Sequence, residues 1–274
     1  MARRIEKLSD RVPKLKAMET RNFPVVKSNY LIQKTRYDLS LQEQKLVLHL
    51  IQMIEPNDEE FKKYRFSVQE YCDLCGIDRN NGGNYIKIKK SLKSLRDKSF
   101  WMELEDESEV LMSWVSKVRV YPSKGVIDVE LDSDLKPYLL QLKAFFTKYN
   151  YLYVMTMRSQ YSIRLYELLK SYENIGAGGI AFEVDELRKT LAIPDDTLAR
   201  WVDFKRFVIE QAVKEINRLT DITVRYTRIK KGRSVFEVQF NIFPKSEKEK
   251  ILAQNMIQRR LNPEKAKEYD ETPY

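Results

Sequence analysis

The feature that most constrains the fold of this chain is an internal repeat. Residues 66–77 align without a gap on residues 182–193, an offset of 116, with Phe, Val, Glu and Ile recurring at equivalent positions. The same offset continues through the flanking helical patterns, where Lys89 for example pairs with Lys205. A match that extends through three successive helical patterns indicates two copies of one structural unit. The chain therefore has to fold as two related units.

Each unit has a pattern of three helices followed by strands. In the first unit, Ser40 and Glu43 form a capping box that opens an amphipathic helix ended by Pro56. The later helices are predicted over 67–75 and 84–98. The strands are predicted around 64–66 and over 100–105, 110–121 and 126–131, the last two joined by a Pro–Ser–Lys–Gly turn.

The second unit repeats this order and ends in a hairpin. Its helices are predicted over 159–172, 184–191 and 203–219, and its strands over 222–229 and 234–243. Three helices followed by a β-hairpin are typical of the winged helix, a helix-turn-helix variant whose third helix enters the DNA major groove. The predicted fold class is α+β, with two tandem winged-helix domains and a linking helix over 135–146.

This organisation divides the chain into four parts. We expect a flexible basic arm over residues 1–25 and a C-terminal tail over 245–274. Residues 26–147 are predicted to form winged-helix domain 1, for dimerisation and DNA backbone contact. Residues 148–244 are predicted to form winged-helix domain 2, for recognition of DNA sequence.

Composition narrows the possible functions. The net charge of +9 favours a polyanionic partner, while one His and two Cys leave too few ligands for a zinc site. Neither a phosphate-binding P-loop nor a convincing catalytic constellation occurs, so we expect no enzyme activity, no cofactor and no metal. Cys72 and Cys75 are predicted to be core residues. Without an apolar run long enough to span a bilayer or a secretory signal, we expect a cytoplasmic protein with no membrane contact.

The third helix of the first unit carries a one-sided positive charge. Residues 81–100 contain six basic residues and one acidic residue. Such a face repels itself unless a polyanion or a countercharge meets it, so phosphate contact is expected. The residues predicted to face away from its apolar stripe are Lys87, Lys90, Ser91, Ser94 and Lys98.

The third helix of the second unit has a chemically mixed face. Arg can donate to guanine, Asn can pair with adenine, and Glu can accept from cytosine. An ordinary amphipathic helix with a Glu210–Lys214 pair is the alternative, but the basic hairpin tip at Lys230, Lys231 and Arg233 favours DNA, because a wing lies beside the helix on the backbone. The residues predicted to face outward are Lys205, Arg206, Glu210, Lys214 and Asn217.

Several motifs in a fixed order resemble those of the iteron-binding replication initiators of bacterial plasmids. The resemblance covers about residues 25–243. The motifs are VKSN at 26–29, LSLQEQKLV at 39–47, YSIRLYELLK at 161–170, DFKR at 203–206, EIN at 215–217 and TDI at 220–222.

Membership of that family would imply that monomers bind direct repeats in double-stranded DNA at an origin and open the duplex. It would also imply recruitment of host replication initiation and helicase-loading proteins, and dimers that repress the initiator's own promoter. Apolar residues around 41–54 and 101–114 would be candidates for the dimer surface, although sequence pattern alone does not separate them from the core.

A transcriptional repressor with the same two domains and no replication role remains an alternative, because both functions need only specific DNA binding. A nickase or an ATPase would need a metal pair or a P-loop. An RNA-binding module would need an aromatic stacking platform on its strands, which the sequence lacks.

Overall fold

The structure is a computed structural model that describes residues 24–75, 77, 83–174 and 179–261. Almost all of the predicted basic arm (1–25) and the end of the predicted tail (262–274) lie outside the described residues.

The first unit combines short helices with three small antiparallel sheets. One sheet has the strand order β2–β6–β5, and β3–β4 and β1–β7 form two-stranded sheets. The helices are α1 (Asn29–Lys34), α2 (Leu41–Ile51), α3 (Val68–Leu74), α4 (Asn84–Asp97) and α5 (Lys136–Leu139). The strands are β1 (Val25–Ser28), β2 (Tyr64–Ser67), β3 (Ser99–Glu103), β4 (Glu109–Ser113), β5 (Val115–Tyr121), β6 (Val126–Leu131) and β7 (Phe146–Tyr149).

The second unit has one sheet, with the order β8–β10–β9. Its third helix is a continuous helical stretch over 201–219, hereafter the recognition helix, in which a π-helical segment (Lys205–Glu210) separates two α-helices. The helices are α6 (Tyr151–Met155), α7 (Gln160–Lys170), α8 (Val184–Thr190), α9 (Trp201–Phe204), α10 (Gln211–Leu219) and α11 (Glu247–Leu261). The strands are β8 (Ile180–Glu183), β9 (Ile222–Lys231) and β10 (Ser234–Pro244).

The structure confirms the internal repeat and the two tandem winged helices. Strand β2 and helix α3 occupy residues 64–74, and β8 and α8 occupy 180–190, the same offset of 116. In both units this strand pairs antiparallel with the last strand of the hairpin. The Ile77 amide donates to the Cys72 carbonyl, and the equivalent Ile193 amide donates to that of Arg188. The second helix therefore ends in the same way in both copies.

The long strand predicted over 110–121 is wrong, because it divides into β4 and β5. Trp114 and Val115 are adjacent and both buried. The chain leaves one sheet and enters another at this point, because β4 pairs with β3 whereas β5 pairs with β6. Trp114 packs edge-on against Tyr37, with ring centroids 4.9 Å apart. Along the chain, the additional β3–β4 hairpin therefore comes between helix α4 and the β5–β6 hairpin.

The linking helix predicted over 135–146 is also wrong. Helix α5 ends at Leu139, and Gln141 and Phe145 have left-handed φ values of 50° and 51°. The chain then forms β7, which pairs with β1 from Val25↔Tyr149 to Ser28↔Phe146. Pairing with a strand that lies far away in the sequence satisfies the backbone groups that a helix would have satisfied internally.

A buried ion pair connects β1 to helix α7. The Lys27 ammonium lies 2.9 Å from a carboxylate oxygen of Glu167, and both side chains are 1% exposed. The Tyr149 hydroxyl donates to the same carboxylate. This contact joins strand β1 to helix α7, which lie about 140 residues apart in the sequence.

Arg164, one turn before Glu167 on α7, extends this network. Its guanidinium is buried, donates to the Tyr37 hydroxyl at 2.8 Å and lies 4.3 Å from the centre of the Tyr37 ring. It also donates to the carbonyl oxygens of Thr35 (3.1 Å) and Thr190 (3.2 Å). The segment after α1, helix α7 and the end of α8 are therefore held by one side chain.

The histidine and the cysteines are structural. His49 on α2 is buried, its Nδ1 lies 2.7 Å from the Tyr151 hydroxyl, and burial lowers its pKa to about 3. Cys72 is buried and Cys75 partly so, and burial raises the pKa of both thiols. The prediction that the cysteines belong to the core is confirmed.

Replacing Lys27 by Met should lower the free energy of unfolding by about 3–5 kcal/mol, because it removes the nearer of the two cations beside the buried Glu167 carboxylate and leaves Arg164 at 3.9 Å. Urea unfolding followed by circular dichroism measures this. The matched control is Arg36→Met. It removes an exposed ion pair between Arg36, which follows α1, and Glu186 of α8, and should cost less than about 1 kcal/mol. Equal losses in the two variants would contradict a special role for the buried pair.

The single histidine predicts a specific acid sensitivity. Because the pKa of His49 falls from about 6.5 unfolded to about 3 folded, the unfolded chain binds the extra proton between these values. Stability should therefore fall as the pH drops below about 6.5, by up to about 1.4 kcal/mol per pH unit from this group. Urea unfolding between pH 7 and pH 5 should show a shallower dependence for His49→Gln. A folded-state imidazole NMR signal that titrates near pH 6 would contradict this.

Candidate nucleic-acid interface

The recognition helix is anchored by the predicted apolar stripe. It packs against α7 and β9, and its stripe is fully buried. The buried residues are Phe204, Val208, Ala212, Ile216 and Leu219. The prediction of this inward face is confirmed, and the opposite face is left to solvent.

A π-helical segment changes the pitch in the first half of this helix. Lys205–Glu210 adopts this conformation, which is rare and occurs often at functional sites. Within it Arg206 and Phe207 are both exposed, and the Arg206 guanidinium lies 5.2 Å from the centre of the Phe207 ring. The local geometry therefore presents a cation and an aromatic ring side by side.

The outward face is chemically mixed, as predicted. Arg206, Glu210 and Lys214 are exposed at four-residue intervals. Glu210 pairs with Lys205 at 3.1 Å, rather than with Lys214, and accepts a hydrogen bond from the Tyr226 hydroxyl. Since Glu210 is engaged by Lys205 and Tyr226, the cations left exposed on this face are Arg206 and Lys214, followed one turn later by Arg218, which lies beside Met256.

Asn217 does not face outward, so the predicted placement of this residue on the outward face is wrong. Its side-chain amide donates to the Val224 carbonyl at 2.9 Å, and its carbonyl accepts from the Val224 amide at 2.7 Å. Both ends of the side chain therefore bind β9. The Lys245 ammonium caps the same helix terminus by donating to the carbonyl oxygens of Asn217 and Thr220.

The wing is the hairpin of β9 and β10. The strands extend to Lys231 and from Ser234, so the turn is shorter than predicted and consists of Gly232 and Arg233. Gly232 has a φ of +66°, which a side chain would disfavour. Lys230, Lys231 and Arg233 are all exposed at this tip.

Sequence reasoning missed two exposed cations of β9 and a groove beside the recognition helix. Arg225 and Arg228 are exposed on β9, and regular alternation along this strand could have identified Arg225 as outward-facing. A groove of about 730 Å³ also runs beside the recognition helix, where Arg206, Phe207 and Lys214 face Leu41 and residues 158–161. No local pattern predicts this wall, because it comes from α2 and from the start of α7.

On the first unit, α4 keeps part of its predicted face. Lys87 and Lys90 are exposed, and Ser91 is half-buried. On β5 and the turn after it, Lys117, Arg119 and Lys124 are exposed as well and were not predicted. The exposed cations of the first unit are therefore distributed over α4, β5 and the turn after β5.

Lys98 and Ser94 point inward instead, which corrects their predicted placement. The Lys98 ammonium lies 2.8 Å from the nearly buried Glu43 carboxylate and also donates to the Asp38 carbonyl. Burial opposes ionisation of Glu43, but hydrogen bonds from Lys98, Ser94 and Ser40 hold its pKa below the usual value. These groups therefore fasten α4 to the capping box of α2.

Among the residues that the structure describes, no three His, Cys, Asp or Glu side chains lie close enough together to hold a metal ion. No described helix is both long and apolar enough to cross a bilayer.

Comparison with known proteins identifies a family. Residues 24–170 match the family model "Initiator Replication protein, WH1", and residues 183–242 match "Initiator Rep protein, WH2". A replication initiation protein of Escherichia coli is 25% identical over 221 residues, which cover 76% of this chain and 66%, just under two thirds, of that relative. An uncharacterized 27.6 kDa protein of Escherichia coli is 21% identical over 78% of this chain and 93% of its own length.

A solved structure shares the fold. The Pi initiator protein, whose crystal structure was determined in complex with iteron DNA, superposes with a TM-score of 0.66 at 19% identity. The match covers 83% of this chain and 99% of that one.

Asn217→Ala should lower the free energy of unfolding by about 1–3 kcal/mol, because it leaves the amide and carbonyl of Val224 without partners. Thermal or urea unfolding measures this. An unchanged stability would contradict the structural role and return Asn217 to the outward face. Asn241→Ala, a half-buried asparagine on the adjacent strand β10, is the control for general loss of an amide side chain.

Proposed function

The chain belongs to the family of initiator replication proteins with two winged-helix domains, and on that premise we propose that it binds direct repeats in double-stranded DNA at a plasmid origin. Binding there starts replication of the plasmid. The chain acts by binding DNA and other proteins, and we assign it no chemical step, cofactor or metal.

The observation that carries this proposal is the surface made by the recognition helix and the wing. Arg206 and Lys214 on the helix and Lys230, Lys231 and Arg233 on the wing are all exposed. A helix that reads bases in the major groove, beside a hairpin that holds the backbone, needs this combination. That the similar Pi initiator was crystallised with iteron DNA supports the same use of the fold here.

The two domains have different tasks in this proposal. Domain 2 (148–244) reads sequence with Arg206 and Lys214, and the Lys205–Glu210 ion pair lies beside them on the same helix. Domain 1 (26–147) contacts the backbone through Lys87, Lys90 and Ser91, to which we add Arg119 and Lys124. If these contacts neutralise about eight phosphates in total, affinity falls with salt with a logarithmic slope of about −7.

Self-association is assigned to the outer face of the β3–β4 hairpin. Trp101 and Leu111 lie opposite each other across the two strands and are 57% and 50% exposed. Most of the remaining apolar candidates for a dimer surface, including Leu46, Leu50 and Trp114, are buried core residues. We propose that a dimer formed through this hairpin represses the initiator's own promoter, while the monomer binds the origin and recruits host initiation and helicase-loading proteins in the cytoplasm.

Footprinting on the DNA that flanks the gene tests this function. Protection of several tandem direct repeats beside an AT-rich stretch is the expected result. Protection of a single inverted repeat, with no effect of the protein on plasmid maintenance, would favour the alternative of a transcriptional repressor.

Arg206→Ala should weaken binding to a protected repeat by about 1–3 kcal/mol and affect random DNA much less, because a bidentate contact to guanine is lost. Fluorescence anisotropy with both duplexes at one salt concentration measures this. Lys250→Ala, which removes a cation of α11 that pairs with Glu247, is the control and should affect neither. An equal loss on both duplexes would reassign Arg206 to phosphate contact.

A further inference from the structure

Phe207 is a large apolar side chain left in solvent on the recognition helix. It is 51% exposed, whereas its neighbours Val208 and Ile209 are fully buried. Its ring is held by the guanidinium of Arg206, 5.2 Å from its centre. Cation–π contact of this kind orients an aromatic ring without covering it. The ring is therefore presented, in a defined place, to whatever the helix face meets.

The surroundings of Phe207 indicate the nature of that partner. The ring lines the groove beside the recognition helix together with Arg158, Arg206 and Lys214, and with the amide side chains of Gln160 and Gln211. Glu210, the acidic residue in this lining, is engaged by Lys205 at 3.1 Å. Leu41 and Tyr161 also line the groove, and three cations around these apolar side chains suit a polyanion that carries small apolar groups.

Double-stranded DNA carries such a group in its major groove. The 5-methyl group of thymine is the apolar feature that distinguishes T·A from the other base pairs there, and Phe is among the residues that contact it. The first half of a recognition helix is the part that reaches base edges, and Phe207 lies in that half.

We infer that Phe207 contacts the 5-methyl group of a thymine in the repeat that the recognition helix reads, and so determines a T·A pair next to the base read by Arg206. This inference rests on the proposed function, because it requires that the recognition helix enters the major groove. It adds an apolar contact to a surface that sequence reasoning had described only in terms of hydrogen bonds and charge.

The test replaces the thymines of one protected repeat, one at a time, by deoxyuridine, which removes only the methyl group. Binding of the full chain to each duplex is measured by fluorescence anisotropy at fixed salt. For the wild type, one position should weaken binding about fourfold, the effect of exposing one methyl group. Phe207→Ala should bind the unmodified repeat more weakly and show no difference between thymine and deoxyuridine at that position.

Two variants serve as controls. Phe207→Leu keeps an apolar side chain and should retain part of the deoxyuridine effect, and its thermal unfolding checks that the helix is intact. Val202→Ala removes another exposed apolar residue of the same helix, one that does not line the groove, and should keep the full effect.

The outcomes separate the inference from the function on which it rests. If the wild type binds the repeat but no deoxyuridine position weakens binding, or if Phe207→Ala keeps the difference, the inference fails and the proposed function stands. If the chain protects no DNA at all, the proposed function fails and the inference with it.

Discussion

The buried ion pair between Lys27 and Glu167, with Arg164 beside it, is the constraint on which much of the structure depends. Two cations and one carboxylate removed from water are costly, and they are tolerated only where each has close partners. Those partners come from four places: β1, the segment after α1, β7 and the end of α8. The network thus requires β1, β7 and α7 to come together.

This requirement accounts for the departure from the helical pattern after residue 139. The predicted helix would have included Phe146, the first residue of β7, which pairs with Ser28 of β1, and Tyr149 of the same strand reaches Glu167. Left-handed backbone at Gln141 and Phe145 accompanies the change of direction. Local helical propensity is worth only a few tenths of a kcal/mol per residue, so the strand pairing and the buried charge override it.

The same logic distinguishes structural polar residues from those available to a partner. Asn217, Lys98 and Lys245 satisfy backbone or carboxylate groups within the fold. Arg206 and Lys214 remain exposed on the recognition helix. The π-helical segment then adds Phe207 to that surface. The exposed surface of this helix is thus defined as much by the side chains that bind within the fold as by those that remain in solvent.

The sequence by itself determined the features that depend on neighbours along the chain. These are the two copies offset by 116 residues, the Ser40–Glu43 capping box, the buried stripe of the recognition helix and the basic hairpin tip. Only the tertiary structure decided the inward placement of Asn217 and Lys98, the break of the linking helix, and the groove between Leu41 and Phe207. The physical reason is that periodicity shows which side of a helix is apolar, whereas a polar side chain at the edge of that side turns inward or outward according to partners that lie elsewhere in the sequence.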